Sequence, residues 1–209
     1  MVQKSDDKAK PAPRPRGRPR SFDTETTLAQ ATLAFWRQGY APTSMDDLSA
    51  ATGLNRPSLY GAFGDKHALY LQALRLYTEQ SNAAIAAAFA DRSLRAGLLR
   101  VYELALQLYY PADEAARGCL LIGTAATEAP RDEAIRQQLG DSLRGFNAAF
   151  EARLQQGVDS GELPAGTDVA KRAQLASAVL HSMALRARAG DPREDVAAFA
   201  AASLDFVCA

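Results

Sequence analysis

The sequence predicts an all-α fold, with a small N-terminal head of three helices and a larger helical domain behind it. Three observations support this prediction. Apolar residues recur at spacings of three and four, no useful length alternates with the period of two that marks a strand, and Pro or Gly separates the periodic segments. The 209 residues are enough to bury a substantial core, although the head alone would be marginal.

Residues 1–20 are predicted to form a disordered basic arm. Residues 14–20 read Arg-Pro-Arg-Gly-Arg-Pro-Arg, in which the prolines prevent a helix. Arg18 and Arg20 can therefore reach phosphates or a narrow minor groove. A purification tag or a solvated tail is the simpler interpretation of residues 1–10. The whole chain has zero net charge, but residues 1–66 hold ten Lys and Arg against seven Asp and Glu.

Residues 43–66 carry the pattern of a helix-turn-helix. Ser44 can cap the first helix of the motif, and Gly53 supplies the backbone freedom of a sharp turn. Asn55 can cap the second helix, where Pro57 falls in the first turn and its missing N–H costs nothing. The motif places a short polar helix where it can enter the major groove, although an ordinary solvated helix pair is the alternative.

The head contains more residues in a fixed order than this motif alone requires. They are Gly17-Arg18-Pro19-Arg20, Phe35, Gly39-Tyr40, Thr43-Ser44-Met45, Leu48, Ala51, Gly53, Leu54, Pro57-Ser58-Leu59-Tyr60, Phe63, Lys66 and Leu69. With this set, residues 17–71 resemble the N-terminal DNA-binding domain of the TetR/AcrR family of bacterial transcriptional regulators. The resemblance implies that Thr43, Ser44 and Lys66 contact phosphates from helix N-termini. The resemblance also implies that Tyr60 contacts a phosphate or the methyl group of a thymine.

Base reading is expected from the exposed face of the second helix of the motif. Asn55, Arg56 and Ser58 are the candidates, and Pro57 completes the DNA-binding set. Arg56 is favoured because a guanidinium can hold guanine O6 and N7 together. Many relatives have Gly or Ala within the stretch that here reads Asn-Arg-Pro-Ser, so the operator cannot be inferred from a relative. The large aromatic residues Phe35, Trp36 and Phe63 are expected in the core.

The chain is divided into the arm, a DNA-binding domain at residues 21–66, and an effector-binding and dimerisation domain at residues 67–209. A long helix from about Lys66 to Phe89, capped by Asp65, is predicted to join the two domains. The resemblance implies that a tilt or slide of this helix changes the spacing of two heads in a dimer. Further helices are predicted at residues 93–110, from near 118, and at 131–156, 168–189 and 192–207.

The last two predicted helices carry apolar residues at helical spacing and many alanines, which allow helices to approach closely. These residues are Leu175, Val179, Leu180, Met183, Val196, Phe199, Ala200, Leu204 and Val207. In the family, two such pairs form a four-helix bundle between copies, so a homodimer on a palindromic operator is expected. Packing within one chain is the alternative.

An apolar cavity among the middle helices is the expected effector site. Its candidate lining residues are Tyr109, Tyr110, Cys119, Phe146, Phe150, His181, Met183 and Arg186. Residues 117–121 resemble the start of the sixth helix in one branch of the family, in which some members sense electrophiles or oxidants through a cysteine. A helix N-terminus and Arg117 would lower the pKa of the Cys119 thiol. A buried, unreactive cysteine is the alternative.

Other classes of function have no support in the sequence. The chain lacks metal-ligand spacing, a Gly-rich phosphate loop and a nucleophile elbow, so no metal, cofactor or enzymatic activity is expected. No apolar run approaches a membrane span or the core of a signal peptide, so a cytoplasmic protein is expected.

The resulting prediction is a homodimeric transcriptional repressor that binds double-stranded DNA and is released by a small-molecule or oxidant effector. The alternatives are an all-α ligand carrier or enzyme without specific DNA binding, an architectural DNA protein, and an activator. The first two would bind no DNA sequence selectively, whereas an activator would.

Overall fold

The computed structural model describes residues 22–90 and 92–209, and these residues form helices and loops without strands. The predicted basic arm, with Arg18 and Arg20, lies outside the described residues. The helices are α1 (Thr24–Gln38), α2 (Met45–Thr52), α3 (Arg56–Phe63), α4 (Lys66–Phe89), α5 (Leu94–Tyr109), α6 (Ala126–Glu128), α7 (Glu133–Asp159), α8 (Val169–Ala189) and α9 (Arg193–Val207), with a π-helical segment, Leu121–Ala125, directly before α6.

The helix-turn-helix forms as predicted, and its caps explain where its helices begin and end. Ser44 and Asp47 form a reciprocal capping box at the start of α2. Gly53 ends α2 in the left-handed conformation at φ 67°, which costs glycine little. The Asn55 side chain then accepts a hydrogen bond from the Ser58 backbone N–H at 2.9 Å, which starts α3.

The core of the head continues into α4. Phe35, Leu48 and Leu59 are fully buried, and the Phe35 ring meets the Tyr70 ring of α4 edge-on at 5.0 Å between centroids. The Tyr70 hydroxyl in turn lies 2.6 Å from the Thr124 hydroxyl of the π-helical segment. The expectation that Phe35, Trp36 and Phe63 are core residues is confirmed by their burial.

In the larger domain, α5 and α7 pack against α4, α8 packs against α5 and α7, and α9 packs against α5 and α8. Its helix limits agree with the sequence prediction to within a few residues, because Asp132 caps α7 and Asp168 caps α8. The π-helical segment was not predicted. Its first two residues line the cavity described below, so this local widening of the helix lies at a candidate site.

Most apolar residues that suggested a dimer interface pack within the chain instead. The buried members are Val179, Leu180, Met183, Val196, Ala200, Leu204 and Val207. They pack α8 and α9 against each other and against the rest of the domain, and they are therefore unavailable to a second copy. Leu175, in contrast, is 43% exposed.

None of the helices in the described part of the chain is both long enough and apolar enough to cross a membrane.

Candidate nucleic-acid interface and ligand cavity

The outer face of α3 presents the polar residues that were predicted to read bases. Asn55, Arg56, Pro57 and Tyr60 are exposed and Ser58 is half-buried. On the opposite face, Leu59 and Phe63 are buried in the head. This separation follows from the helical spacing of the sequence and leaves one polar face of α3 open to a partner.

Arg56 is the only exposed cation that α3 itself contributes within this described face, and it forms an ion pair with Asp46 of α2. The hydrogen bond from Arg56 holds the pKa of the Asp46 carboxyl below its usual range. Both side chains are exposed, so water screens the pair and it adds little stability. Arg56 can therefore exchange Asp46 for a base edge or a phosphate at small cost.

Thr43 and Ser44, predicted as phosphate contacts, have different environments. Ser44 is exposed, and its hydroxyl donates to the Asp47 carboxylate at 2.6 Å. Thr43 is completely buried, and its hydroxyl donates to the Gly39 carbonyl at 2.6 Å. A direct phosphate contact by Thr43 does not fit this conformation, because its only side-chain donor is buried and bonded within the head.

Lys66 also bonds within the protein. Its ammonium group donates to the carbonyls of Tyr40 at 3.1 Å, Ala41 at 3.4 Å and Thr43 at 3.0 Å. It also lies 4.5 Å from the centroid of the Tyr40 ring. In this conformation Lys66 fastens the loop after α1 to the start of α4, and a phosphate contact would have to replace one of these carbonyls.

A cavity of about 460 Å³ lies in the larger domain, between α1, α4, α5, α7, α8 and the π-helical segment. Four predicted lining residues are present: Tyr109, Cys119, Phe146 and His181. Its size falls in the range of sites for small organic ligands, and its wall is mainly apolar. The expectation of an apolar cavity among the middle helices is confirmed.

The other predicted lining residues lie outside this cavity. Tyr110 donates its hydroxyl to the Asp191 carbonyl at 2.9 Å, which holds it against the end of α8. Phe150 is fully buried and packs edge-on against Phe89, 5.8 Å away between ring centroids. Met183 is likewise core, and Arg186 pairs with Asp191. The prediction was wrong for these residues because each has a partner elsewhere in the domain.

The Cys119 thiol has a raised pKa, which goes against the first of the two interpretations of its sequence, that of a thiolate. The main cause is burial, which disfavours the charged form. Tyr77 donates its hydroxyl to the Cys119 sulfur at 3.2 Å, which opposes the shift without reversing it. Arg117 does not compensate, because its guanidinium stacks on Trp36 at 4.2 Å from the ring centroid. Burial therefore favours the alternative of an unreactive cysteine.

Sequence reasoning missed most of the α5 wall of the cavity and the whole of the wall that belongs to α4. The lining residues on α4 are Tyr77, Gln80, Ser81, Ala84 and Ile85. Their spacing of three, one, three and one places them on one helical face, and two of them are polar within an otherwise apolar stripe. That interruption was the signal for a ligand-facing surface rather than simple core.

Two family models match the chain. The description "Bacterial regulatory proteins, tetR family" covers residues 28–73. The description "Tetracyclin repressor-like, C-terminal domain" covers residues 95–202, which is more than half of the chain. One model therefore contains the helix-turn-helix, and the other contains most of the cavity.

Individual proteins match over nearly the whole length. The HTH-type transcriptional repressor ComR of Escherichia coli (strain K12) is 30% identical over 194 residues, which is 90% of each chain. A solved structure of a cysteine mutant of the TetR family transcriptional regulator CifR, complexed with 26-bp double-strand operator DNA, is 31% identical with a TM-score of 0.82. It covers 90% of this chain and 98% of that one.

A third similar protein is a transcriptional regulator of the TetR family from Cytophaga hutchinsonii. It is 25% identical, with a TM-score of 0.76, over 88% of this chain and 92% of that chain. All three similarities include both the head and the larger domain.

Proposed function

Because this chain belongs to the TetR family of DNA-binding transcriptional regulators, which are not enzymes, we propose that it is a homodimeric repressor released from a palindromic operator by a small-molecule effector. The exposed polar face of α3 is the observation that carries the proposal. A capped helix-turn-helix holds Arg56 there, and its partner is an exposed carboxylate, that of Asp46. The relative CifR, a mutant of which is complexed with operator DNA, supports operator binding by this chain.

The proposed effector site is the cavity of the larger domain. Its wall includes Trp36 of α1 and a face of α4, so a ligand there would contact both the head and the helix that follows it. A ligand can shift the protein between two conformations only if it binds them with different affinity. Burial of Cys119 favours a bound small molecule over oxidation of a cysteine as the signal.

The proposed dimer uses the exposed faces of α8 and α9. On α8, Leu175, Ala178 and Leu185 follow helical spacing and are exposed; on α9, Phe206 is 72% exposed. Large apolar side chains exposed on neighbouring helices are typical of a surface that a second copy covers. A twofold dimer would also present two α3 helices to two half-sites.

DNA binding is tested first by measuring affinity for the DNA upstream of the protein's own gene against a shuffled duplex at fixed salt. A preference of about a thousandfold or more, found there or in a selection from random DNA, supports the repressor. If no selected sequence is preferred over random DNA, the chain is a carrier or an architectural protein. Transcription from a promoter containing the operator then separates a repressor from an activator.

Arg56→Ala is expected to weaken binding to the preferred duplex about ten- to a hundredfold and to relax the base preference, because a bidentate contact to a base is lost. Gel-shift titrations on the preferred and shuffled duplexes measure both effects. Arg136→Ala is the matched control, since Arg136 is an exposed arginine on α7 with its own acidic partner, Glu133. Equal weakening of both duplexes by Arg56→Ala would restrict Arg56 to phosphate contact.

The double variant Leu185→Asp, Phe206→Asp is expected to sediment as a monomer of 22.4 kDa, while the unchanged protein sediments as a dimer. Charges opposite each other in an apolar interface repel and lose hydration. Tyr60→Asp is the control, because Tyr60 is exposed on the head, at 50%. A monomeric unchanged protein, or a double variant that remains dimeric at the same concentration, contradicts the proposed interface.

A further inference from the structure

The cavity has an unbalanced set of charged and polar groups. Among the described residues that line it there is no Asp or Glu, while Arg117 supplies a permanent positive charge. The other polar groups include the side chains of Tyr77, Tyr109 and His181. An apolar cavity with one cation and no carboxylate disfavours cationic ligands and favours an anion.

Arg117 has no ion-pair partner among the described residues, although a half-buried guanidinium normally has one. Its Nε donates to the Leu108 carbonyl at 3.3 Å, and no carboxylate among the described residues lies within 4 Å of its nitrogens. Glu114 is the acidic residue that influences it most, but Glu114 pairs with Arg37. Burial accordingly lowers the pKa of the Arg117 guanidinium. The fork of Nη1 and Nη2 is the part of Arg117 that suits a carboxylate.

His181 also lines the cavity, and one of its ring nitrogens makes no hydrogen bond to a described residue. Its Nε2 atom is buried and has no hydrogen-bond partner among the described residues. Burial lowers the pKa of the imidazole, which keeps it neutral near neutral pH. The neutral imidazole leaves Arg117 as the charged group among the described residues of the cavity wall.

We propose that the cavity binds a small amphiphilic carboxylate, with its charged group on Arg117 and its apolar part along the cavity wall. This inference rests on the proposed function in taking the cavity as the effector site. A guanidinium without an ion-pair partner among the described residues and an apolar volume of about 460 Å³ match the two parts of such a molecule.

The same contact links the ligand to the head. The Arg117 guanidinium stacks on Trp36 near the end of α1, and the Trp36 Nε1 donates to the Gly118 carbonyl at 3.1 Å. A carboxylate that draws Arg117 towards the cavity removes the guanidinium from the indole face. Ligand binding thereby weakens one of the contacts between α1 and the segment that leads into the π-helix.

Octanoate and 1-octanol are suitable probes, because they share an eight-carbon chain and differ in charge. Near neutral pH, octanoate is expected to bind about tenfold more tightly than 1-octanol, as a charge-assisted pair with Arg117 requires. Calorimetric titration of the full chain measures both affinities. Trp36 is the sole tryptophan and lines the cavity, so its fluorescence reports the binding of both probes. The larger change is expected with octanoate, because only the carboxylate draws Arg117 away from the indole ring.

Arg117→Gln is expected to weaken octanoate binding about tenfold and to leave 1-octanol binding unchanged, which also shows that the variant is folded. Arg117→Lys should keep most of the preference for octanoate, because it keeps the charge. Arg100→Gln is the control, since Arg100 lies on α5 outside the cavity and pairs with Glu103.

Equal affinity for the two probes, equal weakening of both by Arg117→Gln, or no saturable binding of octanoate overturns the proposal. These titrations need no DNA. A failure of the protein to bind an operator would therefore leave their outcome unaffected, and the two proposals can fail separately.

Discussion

Replacing Gly118 by alanine is expected to lower the free energy of unfolding by about 2 to 5 kcal/mol. Gly118 has φ +62°, a conformation that L side chains rarely adopt. A Cβ atom there would lie 2.4 Å from the Ala184 carbonyl oxygen of α8, and a backbone atom inside a packed helix cannot move aside easily. Urea unfolding followed by circular dichroism at fixed protein concentration measures the change.

Gly166→Ala separates the two causes of the expected loss of stability, the backbone conformation and the contact of a Cβ atom with α8. Gly166 also has positive φ, at +86°, but nothing lies within 4 Å of a Cβ built on it. Its substitution is expected to cost about 1 to 2 kcal/mol from the backbone conformation alone. Equal losses of stability for the two variants would mean that α8 moves away from residue 118 at little cost, which would contradict the prediction for Gly118→Ala.

Replacing Arg153 by alanine is expected to lower the free energy of unfolding by about 2 to 3 kcal/mol, because a buried side chain loses its packing and two charge-assisted hydrogen bonds. The Arg153 side chain is 7% exposed on α7. It donates to Glu162 at 2.8 Å and to the Arg92 carbonyl at 2.9 Å. Glu162 also accepts from the Leu94 backbone N–H, so this pair joins the C-terminal end of α7 to the start of α5.

Two comparisons test the role of the Arg153–Glu162 pair. Arg144→Ala removes an exposed arginine of the same helix, paired with Asp141, and should have little effect. The pKa of Glu162 is lowered, first by the Leu94 N–H and then by Arg153. The contribution of Glu162 to stability is therefore fully present above the pKa that this carboxyl has in the unfolded chain. It is lost as the pH falls through the pKa of the carboxyl in the folded protein. A loss for Arg153→Ala no larger than that for Arg144→Ala would contradict the prediction.

Features that depend on neighbouring residues in the chain were the most predictable. Ser44, Gly53 and Asn55 act on backbone groups within a few residues, so their roles in the helix-turn-helix follow from the local sequence. The same holds for Asp65 and Asp132 at the starts of α4 and α7. Helical periodicity supplied the fold class, because it repeats along nearly every segment.

Features that depend on distant residues were less predictable. Nothing near Lys66 in the sequence indicates that its ammonium group binds carbonyls more than 20 residues away. The Cys119 thiol was judged from Arg117 two residues before it, but the tertiary structure places that guanidinium on Trp36. Apolar spacing on α8 and α9 could not distinguish a face buried within the chain from one open to a second copy, since both repeat with the helical period.

The three hydrogen bonds of Lys66 have a mechanical consequence. They fix the loop after α1 to the first turn of α4, so the head and that turn move as one body. The 24 residues of α4 span about 36 Å, and a pivot of about 5° at its far end would carry the head about 3 Å. That displacement is close to the spacing of about 3.4 Å between successive bases. In a dimer, a small rotation at the cavity would therefore be enough to move the two α3 helices out of register with two half-sites one turn of DNA apart.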